Sequence, residues 1–456
     1  MIPLRLSELA KVLGARHVGD DLSVSKVSSD SRVVDSQTLF VALKGERFDA
    51  HDFASKAVAD GASALLVERE LPIAAPQLVV TNSQKAMGQI GAYVKQCVAP
   101  KSVALTGSNG KTSVKEMVAT ILSTQHQVLY TAGNFNNEVG VPLTLLRLEP
   151  QHEYGVFELG ANHLGEINYT SSLVQPDVAM VNNVASAHLE GFGSLEGVAK
   201  AKSEIFLHLA KDGVAVINAD DAFADVMRRA AASHTQLSFS SQGNPADVSA
   251  DELRADALGC YRFWLSYRGE RRQVSLPLSG RHQVSNALAA TSICLALGLS
   301  LDEIVQGLMQ LQPVKGRMQP TRLGRFLLID DTYNANPASV GAAIDWLQEI
   351  EGNRCLVLGD LGELGDNASL LHRQLGEKAK QQGIDALYSL GELSRASSEA
   401  FAGKHFTDLD ALVVDLVSYF NQLTGKVTVL VKGSRSAKME RVVEALIAAF
   451  ERKELF

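Results

Sequence analysis

The chain has 456 residues, of which 46% are hydrophobic and 21% charged, with 43 Lys and Arg against 51 Asp and Glu. This length excludes a peptide or a lone binding module, because roughly 100 to 200 residues per domain give two to four domains. The charge balance excludes a basic nucleic-acid surface, so we expect no nucleic-acid partner.

The N-terminus lacks the basic and apolar regions of a secretory signal, and no apolar stretch reaches the ~20 residues of a membrane span. The sequence therefore predicts a cytoplasmic protein without membrane insertion. The four cysteines are widely spaced and form no CxxC pair, which favours neither a disulfide framework nor a zinc site. We expect all four to be buried: Cys97, Cys260, Cys294 and Cys355.

The element pattern predicts an α/β protein with three domains. Residues 1–82 show short alternating runs, which predict a small α/β module. Residues 83–313 alternate apolar strands with longer helices, which indicates a mostly parallel sheet, with a small antiparallel subsheet over residues 236–278 that begins with Leu237–Ser240. Residues 314–456 repeat strand and helix in the manner of a doubly wound, Rossmann-like domain, after a predicted hinge at 311–316.

A shortened P-loop is the strongest local signal. An apolar strand runs into Gly107, Ser108, Asn109, Gly110, Lys111, Thr112 and Ser113, and a helix with apolar residues at helical spacing follows. Backbone N–H groups of such a loop face phosphate oxygens, Lys111 can neutralise the β- and γ-phosphates, and the Thr112 hydroxyl can bind Mg²⁺. The pattern is shortened because Leu105 replaces its first glycine. Its context favours ATP binding over the alternative, a structural glycine turn.

Further candidates follow other predicted strands. Glu158 ends an apolar run, where a parallel strand would deliver its carboxylate to the edge that carries the P-loop. His188 follows another such strand, and by itself a structural histidine is the more common outcome. Lys200 and Lys202 by themselves predict a solvated helix face.

Six segments resemble, in order, the ATP-dependent Mur ligases of peptidoglycan synthesis: residues 107–112, 158–163, 188–191, 200–202, 280–290 and 330–336. The resemblance covers the whole chain. Within the family, residues 40–53, 131–137 and 359–365 look like the member that adds the last amino acids of the peptide stem. The Asp-Asn-Pro-Arg motif of the preceding ligase is absent from the C-terminal region.

The resemblance implies an acyl-phosphate reaction that joins D-alanyl-D-alanine to UDP-N-acetylmuramoyl-tripeptide and releases ADP and phosphate. It assigns the UDP precursor to the first domain and ATP to the second, and it implies closure of the three domains around these substrates. It also implies a monomer. Whether the third stem residue is diaminopimelate or lysine stays open.

The resemblance also implies roles for single residues. Lys111 would hold the phosphates, Thr112 and Glu158 would serve a first Mg²⁺, and His188 would serve a second. Lys202 resembles a lysine that family members carry as a carbamate, whose two anionic oxygens suit Mg²⁺ where an ammonium does not. The remaining implied contacts are Asn137 with the γ-phosphate, Asn286, Arg317, Asp331, Tyr333 and Asn334 with the nucleotide, and Ser31, Lys44, Gly45 and Arg47 with the uridine diphosphate.

Two features leave alternatives open. The basic residues near Lys44 also fit a solvated loop, whereas Lys432, Ser434 and Arg435 follow a strand in a glycine turn that suits a carboxylate or the peptide stem. One alternative function is a folylpolyglutamate synthase, which lacks the N-terminal module. The other is a P-loop regulator or UDP-sugar-binding protein without ligase activity. Such a protein would not need a two-metal phosphoryl site, which disfavours this alternative because the chain has Lys111, Glu158, His188 and Lys202 together.

Overall fold

The computed structural model describes residues 1–45, 48–185 and 189–452, with the side chains of residues 189 and 190 outside this description. The predictions for Arg47 and His188 therefore lie outside the described residues. Among those residues, three large sheets carry the fold, together with one two-stranded pair. This arrangement confirms the predicted three-domain α/β architecture.

The N-terminal region forms a five-stranded sheet that precedes a long helix. Its strands are β1 Leu4–Arg5, β2 Arg16–Val18, β3 Ser23–Val24, β4 Lys26–Ser28, β5 Thr38–Val41, β6 Ala64–Val67 and β7 Gln77–Val79, and its helices are α1 Leu6–Leu13, α2 Ala54–Ala59 and α3 Ser83–Val98, with a 3-10 turn at Ala50–Phe53. The sheet order is β2-β7-β6-β5-β4, and β1 pairs with β3. β5 and β6 are buried along their whole length, as expected for apolar strands covered on both faces.

The central region forms a nine-stranded sheet with helices packed on it. The strands are β8 Lys101–Thr106, β9 Val128–Tyr130, β10 Tyr154–Glu158, β11 Val178–Val181, β12 Val214–Asn218, β13 Thr235–Ser240, β14 Val248–Ala255, β15 Cys260–Tyr267 and β16 Glu270–Ser279. The helices are α4 Lys111–Ser123, α5 Gly140–Leu145, α6 Glu166–Val174, α7 Leu189–Phe192, α8 Leu195–Ser203, α9 Ala224–Ala230, α10 His282–Ala296 and α11 Leu301–Leu308, with a 3-10 turn at Glu204–His208. The order β16-β15-β14-β13-β12-β11-β8-β10-β9 places β8 between β10 and β11.

One strand prediction for this sheet is wrong. Leu237–Ser240 belongs to β13, which pairs in parallel with both β12 and β14, so antiparallel pairing begins only between β14 and β15. The crossover through α9 explains the direction of β13, because a parallel neighbour needs a connection long enough to return the chain to the same edge. The antiparallel strands therefore extend the main sheet.

The C-terminal region is the predicted doubly wound domain. Its strands are β17 Gln319–Leu323, β18 Phe326–Asp331, β19 Asn353–Gly359, β20 Ala386–Leu390, β21 Lys404–Phe406 and β22 Val427–Lys432, and its helices are α12 Pro337–Glu349, α13 Ala368–Gln381, α14 Arg395–Phe401, α15 Leu409–Gln422 and α16 Glu440–Glu451, with 3-10 turns at Gly365–Asn367 and Arg435–Ala437. The order β17-β18-β22-β19-β20-β21 brings together the carboxyl ends of β18, β22 and β19. Ligands of open α/β sheets bind at such an edge.

The burial of the cysteines matches the prediction only in part. All four thiols are free; Cys294 and Cys355 are buried, whereas Cys97 is exposed and Cys260 partly so. The prediction is wrong for Cys97 because this residue lies in the last turn of α3, beyond the last buried position of that helix at Val94. Within the described part of the chain, the helices are all too short or too polar to cross a bilayer.

Candidate active site

The loop between β8 and α4 is a glycine turn that leads directly into a helix, as the sequence predicts for a P-loop. Gly110 has a φ of 76°, which favours glycine. A Cβ at this position would lie 2.5 Å from both Asn182 Nδ2 and Asn286 Oδ1, so the loop packs directly on two amide side chains. Lys111 begins α4, and its Nζ donates to the Gly107 carbonyl at 2.6 Å, which folds the side chain back over the loop.

Two asparagines that the sequence analysis did not single out support this loop. Asn183 Oδ1 accepts from the Asn109 amide at 2.8 Å, and Asn182 Nδ2 donates to the Asn109 carbonyl at 2.9 Å. Asn182 also donates to Asn286 Oδ1 at 3.2 Å, which places the predicted nucleotide contact Asn286 behind the loop. The signal in the sequence is the position of both asparagines directly after the apolar strand β11.

Glu158 lies beside the P-loop as the sequence predicts. It ends β10, where it pairs with Leu105 of β8, and its side chain is only 2% exposed. Its Oε1 accepts from Asn136 Nδ2 at 2.8 Å, whereas Oε2 is buried without a hydrogen-bond partner among the described residues. Because an unpaired buried carboxylate oxygen is costly, this atom suits a bound cation.

The asparagine that reaches Glu158 is Asn136, the neighbour of the predicted Asn137. Asn137 Oδ1 accepts from the amides of Gly140 at 2.8 Å and Val139 at 3.3 Å, so it holds the turn that leads into α5. The Asn136 carbonyl accepts from the Gly160 amide at 2.8 Å, which fixes the backbone that carries the Nδ2 donor. The repeated asparagines of this segment gave no basis for assigning these two roles in advance.

Two lysines, Lys111 and the buried Lys202, are close enough to influence each other's charge. Burial lowers the pKa of Lys111, although Glu158 opposes this shift. Lys202 in α8 is 2% exposed, and burial followed by repulsion from Lys111 holds its pKa well below its ordinary value. No described carboxylate lies within ion-pair distance of the Lys202 Nζ, which lies 6.0 Å from the ring centroid of Phe192. Lys200 is exposed, as expected for a solvated helix face.

The C-terminal region contacts the P-loop through two side chains. Arg317 Nη2 donates to Thr112 Oγ1 at 2.9 Å, and its guanidinium lies 4.3 Å from the ring centroid of Tyr333. This distance is in the range of a cation–π interaction. Asn336, which the sequence analysis placed in a motif without giving it a role, donates from Nδ2 to Asn109 Oδ1 at 2.7 Å.

A cluster at the carboxyl ends of β18 and β22 joins residues predicted for different ligands. Lys432 Nζ forms a buried ion pair with Asp331 Oδ2 at 2.6 Å and donates to the Asn334 carbonyl at 3.2 Å. The Arg435 amide donates to Asn334 Oδ1 at 3.2 Å. Ser434 Oγ donates to the Asp360 carbonyl at 2.6 Å. The predicted nucleotide contacts and the predicted peptide contacts are therefore neighbours.

The predicted uridine diphosphate residues lie apart from this centre. Lys44 and Gly45 are exposed, and the Gly45 amide donates to the Phe48 carbonyl at 2.9 Å. Ser31 lies in a turn of the same region. Within residues 1–45, 48–185 and 189–452, no hydrogen bond links these three residues to the P-loop. The same ranges contain no group of three or more His, Cys, Asp and Glu side chains that could hold a metal by themselves.

Models of the Mur ligase family match most of the chain. The catalytic domain model matches residues 23–102, the middle domain model matches residues 105–294, and the glutamate ligase domain model matches residues 316–435. The chain belongs to the Mur ligase family.

Individual relatives extend this match over the full length. The UDP-N-acetylmuramoyl-tripeptide–D-alanyl-D-alanine ligase of Escherichia coli is 49% identical over 98% of this chain and 99% of its own. A MurF crystal structure from Acinetobacter baumannii superposes with a TM-score of 0.94 at 39% identity, covering 98% of this chain and 99% of that one. A Thermotoga maritima MurF structure in complex with ADP has a TM-score of 0.84 at 29% identity, covering 94% of this chain and 98% of that one.

Proposed function

We infer that this chain is an ATP-dependent amide ligase that joins D-alanyl-D-alanine to UDP-N-acetylmuramoyl-tripeptide, forming the UDP-linked pentapeptide, ADP and phosphate. The observation that carries the chemistry is a P-loop flanked by Lys111, by Glu158 with its unpartnered Oε2, and by Lys202 without a described counter-ion. The full-length similarity to a UDP-N-acetylmuramoyl-tripeptide–D-alanyl-D-alanine ligase supports the choice of substrates.

The domains divide the work in this proposal. Residues 1–82 bind the UDP end of the precursor through Ser31, Lys44, Gly45 and Arg47. Residues 83–313 bind ATP, and residues 314–456 bring Arg317, Tyr333 and the Asp331–Lys432 cluster to it. In this proposal the segment 311–316 is the hinge of domain closure. The hydrogen bonds from Arg317 to Thr112 and from Asn336 to Asn109 would form or break as the domains move.

The first step transfers the γ-phosphoryl group to the tripeptide carboxylate. A carboxylate oxygen attacks phosphorus, the bond to the β-phosphate oxygen breaks, and ADP leaves with the electron pair. Two anions must approach each other, so the Lys111 ammonium and the Arg317 guanidinium lower the barrier by neutralising charge at the phosphates.

The second step forms the amide bond. The neutral amine of D-alanyl-D-alanine attacks the acyl carbon, and the tetrahedral intermediate expels phosphate with the electron pair of the C–O bond, while the nitrogen loses a proton. Lys432, Ser434 and Arg435 hold the dipeptide in this proposal. The Asp331–Lys432 ion pair keeps the lysine at the sheet edge where the dipeptide would enter.

The residues present fit a magnesium ion. Mg²⁺ is usually bound by one or two carboxylates together with substrate phosphates, and Glu158 Oε2 and the Thr112 hydroxyl offer oxygens beside the P-loop. When bound, Mg²⁺ supplies charge neutralisation at the phosphates. The Thr112 hydroxyl accepts from Arg317 at 2.9 Å, so the guanidinium lies beside the oxygen that would bind the ion. We assign His188 to a second magnesium ion.

Lys202 carries a carbamate in this proposal. The lone pair of its neutral amine attacks the carbon of CO₂, an N–C bond forms, one C=O electron pair moves onto oxygen, and the nitrogen releases a proton. The low pKa supplies the neutral amine, and among the described residues no carboxylate pairs with its nitrogen. Carbon-13 NMR after exchange with labelled bicarbonate should show a carbamate signal that Lys202→Ala lacks; identical spectra would contradict the modification.

Acceptor-dependent phosphate release tests the function. The protein is incubated with ATP, magnesium and UDP-N-acetylmuramoyl-tripeptide, with and without D-alanyl-D-alanine, and products are identified by mass spectrometry. We expect one phosphate per UDP-pentapeptide and little release without the dipeptide. Reaction with a folate and glutamate instead would indicate the folylpolyglutamate synthase, and nucleotide binding without turnover would indicate a regulator.

We further propose that the enzyme acts as a cytoplasmic monomer; light scattering tests the oligomeric state.

A further inference from the structure

A buried lysine outside the groups described above links the P-loop helix to the loop that supports Glu158. Lys115 lies one helical turn after Lys111 in α4 and is 1% exposed. Its Nζ donates to the Thr131 carbonyl at 2.8 Å and forms an ion pair with Glu116 at 2.8 Å. Even a paired ammonium loses hydration energy when it is buried, so an apolar side chain at this position would stabilise the fold at least as well. The lysine therefore has a role beyond packing.

Thr131 carries this link from Lys115 to Glu158. Thr131 is fully buried and directly follows β9. Its Oγ1 accepts from the Glu158 amide at 3.0 Å, and its own amide donates to the Val156 carbonyl at 3.0 Å. The pairing of β9 with β10 ends at Tyr130 and Val156, so no backbone carbonyl of β9 is opposite the Glu158 amide. The Thr131 hydroxyl accepts from this amide instead.

We propose that Lys115 is a positioning residue for the Glu158 carboxylate. This inference rests on the proposed function insofar as it takes Glu158 as a magnesium ligand. The Lys115 bond fixes Thr131, Thr131 fixes the backbone of Glu158, and the same loop carries Asn136, which holds Oε1 at 2.8 Å. Oε2 thereby stays directed away from protein donors. Outer partners of this kind typically change metal affinity by about 10- to 100-fold when removed.

Magnesium-dependent nucleotide binding tests the proposal. Binding of a non-hydrolysable ATP analogue to Lys115→Met is measured by calorimetry over a range of magnesium concentrations. We expect the concentration for half-maximal binding to rise about tenfold, while the KM for D-alanyl-D-alanine at saturating magnesium changes less than about twofold. Lys115→Arg, which keeps a donor, should restore part of the affinity.

A matched control and a second variant complete the test. Lys95 also donates to a backbone carbonyl, that of Gln175 at 3.2 Å, but it has no link to Glu158, so Lys95→Met should bind magnesium like the unaltered protein. Thr131→Val removes the hydroxyl acceptor while keeping the shape, and it should reproduce the effect of Lys115→Met. Thr131→Val keeps the carbonyl to which Lys115 donates and so tests the Thr131 hydroxyl by itself; Lys115→Arg compared with the unaltered protein tests the lysine if Lys115→Met does not fold.

The outcomes separate this inference from the proposed function. Magnesium curves of Thr131→Val and Lys115→Met that superimpose on the curve of the unaltered protein would overturn the positioning role, even if thermal stability falls. Failure of the unaltered protein to form pentapeptide would overturn the proposed function. The binding measurement needs neither UDP precursor nor dipeptide, so it reports on Lys115 in either case.

Discussion

Asn336 Nδ2 donates to Asn109 Oδ1 at 2.7 Å, joining the first turn before α12 to the P-loop across 227 residues of sequence. The same asparagine caps α12, because its Oδ1 accepts from the Ser339 amide at 2.9 Å. One side chain therefore caps a helix of the C-terminal domain and contacts the P-loop.

Asn336→Ser separates these two roles. Serine retains the capping oxygen but has no amide donor, so the melting temperature should change little while the bond to Asn109 is lost. A neutral hydrogen bond contributes about 0.5 to 1.5 kcal/mol, so we expect the KM for ATP to rise roughly two- to tenfold. Steady-state kinetics and thermal unfolding check this, and an unchanged KM for ATP would show that the contact does not assist nucleotide binding.

Lys111→Met should abolish most of the activity without unfolding the protein. The Lys111 ammonium lies over the glycine loop, where it donates to the Gly107 carbonyl, and removing one preorganised charge partner at a phosphoryl-transfer site costs about 10²- to 10³-fold in kcat. The stability of the variant should not fall, because methionine removes a partly desolvated cation, and desolvation lowers the pKa of Lys111. Phosphate release and thermal unfolding measure the two effects; a variant that keeps more than half of kcat would refute the role.

Glu158→Gln tests the metal ligand with little change in shape. The amide oxygen can still accept from Asn136, but the charge on the buried Oε2 is lost. We expect at least a tenfold rise in the magnesium concentration that supports half-maximal activity. Glu153→Gln, at an exposed site that pairs with His126, is the matched control and should leave the magnesium response unchanged.

Gly259→Ala should weaken the contact between the β14–β15 turn and α12. Gly259 has a φ of 68°, and a Cβ there would lie 2.3 Å from Trp346 Nε1, whose side chain is nearly fully buried. Both the strained backbone and the clash oppose the substitution, with a cost of about 1 to 3 kcal/mol. Trp346 fluorescence should shift and the melting temperature fall. Unaltered fluorescence together with an unaltered melting temperature would show that this contact can relax freely.

The buried ring of His372 should make the free energy of unfolding depend on pH. Its Nε2 accepts from the Leu361 amide at 3.1 Å, so the ring is neutral, and burial lowers its pKa from 6.5. The unfolded chain therefore takes up a proton that the folded protein resists, and stability falls as the pH drops below about 6.5. Urea unfolding at pH 7 and pH 5 should show a larger loss for the unaltered protein than for His372→Gln. Equal losses would contradict this assignment.

The sequence predicts the parts of the site that depend on local pattern. The P-loop and the position of Glu158 follow from apolar strands that end in polar residues, because parallel strands deliver such residues to one edge. The doubly wound C-terminal domain follows in the same way. Short elements such as β17, α14 and β21 were not predicted, since their few residues carry little periodicity.

Contacts between segments that lie far apart in the chain could not be predicted from sequence patterns. The local sequence does not distinguish Asn136, which reaches Glu158, from Asn137, which holds the turn before α5. The buried pairing of Lys432 with Asp331 joins residues 101 positions apart and depends on the strand order of the folded sheet. The default expectation of a solvated face held for Lys200 and failed for Lys202, because helix α8 turns only one of the two inward.

Isotope transfer tests the proposed reaction most directly. UDP-N-acetylmuramoyl-tripeptide labelled with ¹⁸O in its terminal carboxylate is incubated with ATP, magnesium and D-alanyl-D-alanine, and both products are examined by mass spectrometry. An acyl-phosphate mechanism predicts UDP-pentapeptide together with inorganic phosphate that carries one ¹⁸O atom per molecule. Phosphate without ¹⁸O, or labelled substrate recovered without pentapeptide while ATP is hydrolysed, would contradict the account.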